Sequence, residues 1–536
     1  MQRLHDAPPS EAVHERLQVA HERDVHFANL AEESLLQMGF ARSQLRWYDH
    51  HLCHAYSAFY CSPFESALVV TFDGRGDCLS GTVYEAKRSA EPVGPGGEPP
   101  GFELVATTSF LDSLAYLYSI VTQLLHFTPF HHEGKVTGLA AKGKSRRGDD
   151  AGTFAIFSKA IWLEEEPRGT NPRTQKRPWA IRTDLTGQYY KAFSSAEPPA
   201  LLRDLAAHSP EDIAAGVQDI TEHIVCEYLV RNGFLAPRMC VAGGLFANVK
   251  LNQRIRTLPG VQNVYVFPHM GDGGIHVGSA MLATVGAGVA PHPRSLTSAA
   301  FQPWDRVFFG PAIYPDDVED IADRAVGLGK QRGAGTQHQP RVRARRQHDI
   351  SEHAKLVAEH IAKGHVVGLA YGRMEFGPRA LGHRSILAST TDRSTNDRLN
   401  ERLKRTEFMP LAPVTVRSQA SRCFKGWRDD HIAARYMTMC YDVTDEFRDK
   451  CPAVVHVDGT ARPQVLDGEA DLYQHIVQAY IDLTGLPALV NTSFNAHGEP
   501  IVASAADAWR GFFDQDCCDV LSLYPFLFEK DSSLTA

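Results

Sequence analysis

The run SALVVTF from Ser66 to Phe72 is apolar and β-branched, and the polar turn Asp73-Gly74-Arg75-Gly76-Asp77 cuts it off. That pattern predicts a strand, and a second run near Thr82 to Tyr84 predicts its hairpin partner. Two later stretches share one layout of short apolar strand, glycine-rich turn and helix: MCVAGG before LFANVKLNQRI, and VYVFP before HMGDGG and IHVGSAML. An amphipathic pattern begins at Ser351, after which HVVGLA and LPALVN read as short buried strands feeding polar, glycine-containing loops. Strands alternating with helices predict an α/β chain.

Three stretches interrupt this pattern. Ala86 to Gly101 is rich in Pro and Gly and reads as a surface loop, and Lys144 to Gly152 reads as a polar connector. Lys330 to His348 has little to bury and carries a run of arginines, which places the domain boundary there, with domains over 1–345 and 349–536. A chain of 536 residues fits two or three such domains. The apolar stretch Ile275 to Ala290 is shorter than the ~20 residues of a membrane span and predicts a buried helix.

Composition narrows the function classes. At 43% hydrophobic and 22% charged the chain has enough to bury and is not disordered. Fifty-five basic against 63 acidic residues give a net charge of −8, which argues against nucleic acid as the main partner. The first residues lack the apolar stretch of a secretion signal, and ten cysteines form no CxxC pair, so the expected setting is a reducing cytoplasm.

The strongest local cluster is Asp49-His50-His51-Leu52-Cys53-His54. With Asp49 as helix cap, His50 and His54 share one face and can share a metal, whereas His51 points away. Asp73 and Asp272 stand at strand ends, where α/β sheets present ligand-binding residues. Two imidazoles with two carboxylates suit a divalent ion such as Fe2+ or Mn2+. Gly243 and Gly244 with Asn248, and the turn holding Gly271 and Gly273, are glycine loops at helix starts that suit an anion or a split nucleotide site, and Glu133 with Lys135 adds a candidate phosphate-facing lysine. In the second domain GRMEFGPRALGHRSIL gathers Arg373, Arg379, His383 and Arg384 around three glycines. Lys404 and Arg405 add charge, and Asn491 and Ser493 add donors. Arginines on such a loop can make bidentate contacts with phosphate or carboxylate.

The segments DHHLCHAYSAFY, TFDGRGD, HHEGKVTGLAAKG, VAGGLFANVKLN, HMGDGG, GRMEFGPRALGHRSIL, KRTEFMPLAP and NTSFNAHGEPIV run in order from residue 49 to about 502. Together they resemble the O-carbamoyltransferases of the nodulation and antibiotic-tailoring family. The resemblance implies an N-terminal actin/Hsp70-like (Kae1-like) domain and a C-terminal YrdC-like α/β domain. It implies that carbamoyl phosphate and ATP, with Mg2+, give carbamoyl adenylate in the second domain, and that the first passes the carbamoyl group to an alcohol of a small-molecule natural product. By motif, Arg379, Arg384, Lys404 and Ser493 look like carbamoyl-phosphate and nucleotide contacts. Gly243, Gly244 and Asn248 look like the adenylate loop, and Asp272 serves as both metal ligand and catalytic residue. The expected partners are these substrates, without nucleic acid or membrane, and a homodimer is a possible assembly. The family opens on a hairpin of the type GxxHDASAAL that this sequence lacks. His5, His14, His21 and His26 stand in helical, charged context, so the first sheet is expected to miss its first strands. The rival readings are a small-molecule kinase of the actin/Hsp70 superfamily, a tRNA threonylcarbamoylation-type enzyme and an inactive nucleotide-binding regulator.

Overall fold

The computed structural model describes residues 11–88, 101–167, 169–171, 173–191, 197–286, 307–330, 342–404, 411–468 and 471–530. The chain divides into two compact units, Met1–Trp304 and Asp305–Ala536. This division falls ahead of the boundary expected at Lys330 to His348. The reason lies in the arginine run itself: Val342–Arg346 is a strand of the second unit, and helix Pro315–Lys330 packs beside it. Residues 331–341 of that expected linker, and 89–100 of the expected loop, lie outside the described residues.

In the first unit β1 (Ser66–Gly76), β2 (Leu79–Lys87) and β3 (Phe102–Ser109) form an antiparallel meander. A small separate sheet pairs β4 (Ile161–Glu165) with β5 (Trp179–Thr183). Then β6 (Arg238–Ala242) and β7 (Asn263–Val266) join the main sheet in parallel, giving the order β3-β2-β1-β6-β7. The predicted hairpin is therefore present. Its first strand runs past Asp73 to Gly76, with an irregular register after Phe72 that frees Asp73 from the ladder. Residues Leu68 to Val70 and Met239 to Val241 are buried, as expected of strands covered on both faces. The helix expected in the apolar stretch is present as Ile275–Gly286, but it buries only one side, with Gly278 and Leu282 inside and His276, Ala280 and Ala283 exposed; among the described residues no helix is long and apolar enough to cross a membrane.

The second unit holds β8 (Val342–Arg346), β9 (Val367–Ala370), β10 (Arg384–Ala388), β11 (Ala412–Val416), a separate pair β12 (Tyr441–Asp442) and β13 (Thr460–Ala461), and β14 (Gln464–Leu466), β15 (Leu489–Ser493), β16 (Val520–Leu523) and β17 (Phe526–Lys530). Eight of these make one mixed sheet in the order β14-β11-β15-β10-β9-β16-β17-β8. Helices Ile350–Ala362 and Leu472–Thr484 bury Val357, Ile361, Ile476 and Tyr480 against Leu387, Val414 and Leu489. Asp349 and Asp471 cap these helices by accepting hydrogen bonds from Glu352 N and Gln474 N.

Candidate functional site

Helix His50–Tyr60 starts where expected: Asp49 Oδ1 accepts from Leu52 N at 2.7 Å. Asp77, just past β1, accepts from His50 N at 2.6 Å and pins the helix start to the strand end. A side chain at Gly76 would collide with the His50 ring, since its Cβ would lie 2.2 Å from it, so glycine is required for this approach. His50 Nε2 and His54 Nε2 then stand 3.1 Å apart and converge on Asp73 Oδ2, at 3.5 and 2.8 Å. Asp272 Oδ1, on the turn after β7, lies 3.6 Å from His50 Nε2 and 3.7 Å from His54 Nε2.

His51 turns away as expected, with Nδ1 on Thr71 Oγ1 at 2.8 Å. Burial pushes it down to about 4, so it stays neutral. Burial works against protonation of His54 too, but the Asp272 and Asp73 carboxylates outweigh it and raise His54 to about 9. At 3.7 Å Asp272 acts on His54 as a nearby charge rather than a hydrogen-bond partner. Burial penalises the Asp73 carboxylate, yet His50 and His54 hold it well below the usual range.

The four ligand atoms lie within 4.8 Å of one another. Two imidazole nitrogens aimed at one carboxylate oxygen share too few protons to satisfy every lone pair, and a cation at their centre satisfies all four donors. The residues thus fit a divalent metal with nitrogen and oxygen ligands. The Asp272 side chain is 72% exposed, so the cluster is open on that side.

The glycine loop after β6 borders the cluster. Gly243 has φ +102°, and a Cβ there would lie 2.2 Å from Phe72 O. Its N–H donates to Met270 O at 2.7 Å. Only glycine tolerates both constraints. A Cβ on Gly244 would lie 3.1 Å from Asp73 Oδ1, which places this loop against the metal ligand.

In the second unit the arginine loop folds around the Glu375 carboxylate. Its Oε1 accepts from Leu381 N, His383 N and Arg384 N at 2.7, 2.9 and 3.1 Å. Asn491 Nδ2 donates to Ala380 O at 3.1 Å and to Gln464 Oε1 at 2.8 Å, fixing the loop to its neighbouring strands. Arg379 is left over. Its buried Nε has no hydrogen-bond partner, and among the described residues no carboxylate pairs with it or with neighbouring Arg462. Burial and the Arg462 charge bring Arg379 down to about 9, and burial lowers Arg462 as well.

The Carbamoyltransferase N-terminus family matches residues 17–281, and the Carbamoyltransferase C-terminus family matches residues 358–530. Uncharacterized protein MJ1058 of Methanocaldococcus jannaschii is 30% identical over 92% of this chain and 75% of its own length. Nodulation protein NolO of Bradyrhizobium diazoefficiens is 30% identical over 90% of this chain and 79% of its own. The chain belongs to the carbamoyltransferase family. It is therefore a carbamoyl-transferring enzyme with a two-unit α/β fold. Nodulation protein NolNO of Sinorhizobium fredii is 31% identical over 91% of this carbamoyltransferase, which spans 64% of that relative. The solved structure of full-length HypF in its phosphate- and nucleotide-bound form aligns over 38% of this chain at 17% identity, but its TM-score of 0.24 is too low to carry an argument.

Several residues expected to bind ligand in this carbamoyltransferase are engaged otherwise. Arg384 is the clearest correction. It is fully buried, and its guanidinium donates to five backbone carbonyls, those of Tyr371, His383, Ala503, Pro311 and Gly372. Strand β10 directs it inward, so it braces the loop instead of facing an anion. Asn248 caps helix Val249–Arg256 through Leu251 N and pairs with Gln218, which uses its amide within the protein. Asn491 is similarly spent on the loop. Glu133 accepts from Ser119 Oγ and Phe130 N, and the Lys135 ammonium lies 5.6 Å from the Phe127 ring centre.

Arg373 is exposed and donates to Phe309 O at 2.9 Å, and His383 Nδ1–H donates to Arg373 O at 2.7 Å. Gly271 opens the turn carrying Asp272, and Gly273 leaves room for the His269 ring. Lys404 is exposed, Ser493 Oγ donates to Asn495 Oδ1 at 2.6 Å, and Arg405 lies outside the described residues. Arg462 was not legible: it sits in the short connection between β13 and β14, with no neighbouring lysine or arginine to mark it.

Proposed function

We propose that this carbamoyltransferase moves the carbamoyl group of carbamoyl phosphate, through a carbamoyl adenylate made with ATP, to a hydroxyl of a small molecule. Carbamoyl phosphate is hydrolysed to carbamate and inorganic phosphate. A carbamate oxygen then attacks the α-phosphorus of ATP, and pyrophosphate leaves with the electron pair of the broken P–O bond. In the transfer step the acceptor oxygen attacks the carbonyl carbon, AMP departs, and the hydroxyl proton is released.

The observation that supports this reading most directly is the unpaired couple Arg379 and Arg462. Two half-buried guanidinium groups side by side, with no carboxylate pairing them among the described residues, are stabilised by a bound anion, and planar forks suit phosphate and carbamate oxygens. Glu375, Asn491 and Arg384 hold the loop so that Arg379 needs little reorganisation as charge develops. In the first unit Gly243 and Gly244 leave the backbone approachable beside Asp73. A divalent ion held by His50, His54, Asp73 and Asp272, Fe2+ or Mn2+ by its donor set, supplies Lewis acidity there when bound. The net charge of −8 favours a small acceptor over tRNA.

The test is ATP–pyrophosphate exchange and phosphate release with carbamoyl phosphate present or withheld, in the full chain with Mg2+. Exchange that requires carbamoyl phosphate supports the adenylate route. ATP consumed to ADP, or exchange indifferent to carbamoyl phosphate, overturns it.

A further inference from the structure

We propose that the segment Val307 to Ile313 is a strap that positions the arginine loop, and that Phe308 is a positioning residue for adenylate formation through its stack on His383. This deepens, and rests on, the adenylate-forming reading of the second unit.

The strap runs beside residues 372–376 as an irregular extra strand. Gly310 N donates to Met374 O and Met374 N donates to Pro311 O, each at 2.9 Å. Ile313 N donates to Gly372 O at 2.9 Å, Phe376 N donates to Val307 O at 2.6 Å, and Ala312 bridges Arg373. Two arginines of the loop clasp the strap in return, Arg373 through Phe309 O and Arg384 through Pro311 O. These bonds fix the backbone at the base of the loop.

Phe308 fixes a side chain. Its ring lies face to face with the His383 imidazole, with centroids 3.5 Å apart and planes 3° from parallel. Tyr371 covers the opposite face at 4.2 Å. Nδ1–H of His383 donates to Arg373 O, Nε2 lies 3.6 Å from the Asp471 Oδ2 charge, and that oxygen accepts from Tyr371 OH at 3.2 Å. The imidazole is therefore held on both faces and by a hydrogen bond at Nδ1, while Nε2 makes no hydrogen bond and has only the Asp471 charge beside it.

Its backbone N–H is one of the three that Glu375 gathers, so the ring and the fold of the loop are mechanically one unit. Arg379 projects from the middle of that loop, four residues from Glu375 and four from His383. Removing the Phe308 ring frees one face of His383 and loosens the turn that aims Arg379. Among the described residues no hydrogen bond joins the strap to Arg379 or Arg462, so its effect is on placement and not on charge.

The experiment compares Phe308→Ala and Phe308→Tyr with the unaltered full chain, reading carbamoyl-phosphate-dependent exchange and backbone hydrogen exchange together. Phe308→Ala is expected to raise the KM for carbamoyl phosphate roughly three- to tenfold with kcat changed less than about twofold, as loss of an aromatic stack that only places a binding group would do. Amides of Gly372 to His383 should exchange about tenfold faster, while those of helix Leu472–Thr484 stay protected. Phe308→Tyr should restore both. If Phe308→Ala does not fold, Phe308→Leu keeps apolar bulk without the flat face and serves instead. Unchanged loop protection, or protection lost evenly across the unit, overturns the strap. A wild-type chain without carbamoyl-phosphate-dependent exchange overturns the adenylate reading, and hydrogen exchange of the loop then still decides the strap.

Discussion

His54 Nε2 lies 2.8 Å from Asp73 Oδ2, a contact between residues 19 apart in sequence that ties helix His50–Tyr60 to the irregular end of β1. The contact depends on the departure of Asp73 from regular strand pairing and on the bare Cα of Gly76. His50, one turn earlier on the same helix, and Asp272, on the turn after β7, complete the cluster.

Replacing His54 by Ala should lower metal affinity beyond the roughly ten- to hundredfold typical of losing a supporting residue, because a direct ligand is removed. The fold should survive, since the deleted ring leaves Asp73 facing His50 and the open side. Elemental analysis after dialysis against Fe2+ or Mn2+, alongside circular dichroism, checks both parts. Stoichiometric metal in the variant would remove His54 from the ligand set.

Arg379 and Arg384, five residues apart on one loop, should respond in opposite ways. Arg379→Lys should raise the carbamoyl phosphate requirement or slow adenylate formation by about tenfold, equivalent to roughly 1.4 kcal/mol, because a point charge replaces a planar fork. Its unfolding midpoint should hold or rise, as no internal partner is lost. Arg384→Lys should destabilise the second unit by roughly 3 kcal/mol, since buried carbonyls lose their donors. Denaturant unfolding and exchange kinetics on both variants separate the two roles.

His353 should give the second unit a pH-dependent stability. It is fully buried, with Nε2 bonded to Ser522 Oγ at 2.9 Å, and burial pushes it down to about 4. Below its ordinary value of 6.5 the unfolded chain binds this proton and the folded one does not. Stability should therefore be full above pH 6.5 and fall, by on the order of 3 kcal/mol, as pH drops toward 4. His353→Gln should flatten that slope in urea titrations between these limits. An unchanged slope would assign it to other groups.

Residues 305–536 expressed alone should fold cooperatively, whereas 349–536 should be markedly less stable or associate. The shorter piece lacks β8, helix Pro315–Lys330 and the strap. It exposes the β17 edge and the face of helix Ala505–Phe513 that the lost helix covers. Calorimetry and size-exclusion chromatography of both fragments provide the check, and equal stability would show that the added segments contribute little.

Local chemistry in the sequence determined much of this protein. Asp49, three positions before Leu52, caps a helix, which puts His50 and His54 on one face. The apolar runs at Ser66, Met239 and Val367 read as short strands, and the glycines at 243 and 244 marked a loop at a helix start that can receive an anion. These are short-range matters, decided by capping, periodicity and the missing Cβ, so they can be read without a fold. The tertiary structure alone decided which cations remain free. Arg379 and Arg384 share one motif and look alike in sequence, yet the strand direction of β10 turns one inward onto five carbonyls and leaves the other beside Arg462, 83 positions along the chain. The arginine run at 342–346 offers little to bury, and Arg343, Arg345 and Arg346 are exposed, as its composition suggests. Its backbone completes a sheet edge against β17, and ladder hydrogen bonds do not depend on side-chain polarity. Long-range pairing settles such questions, because whether a polar group is satisfied depends on partners that local sequence does not name.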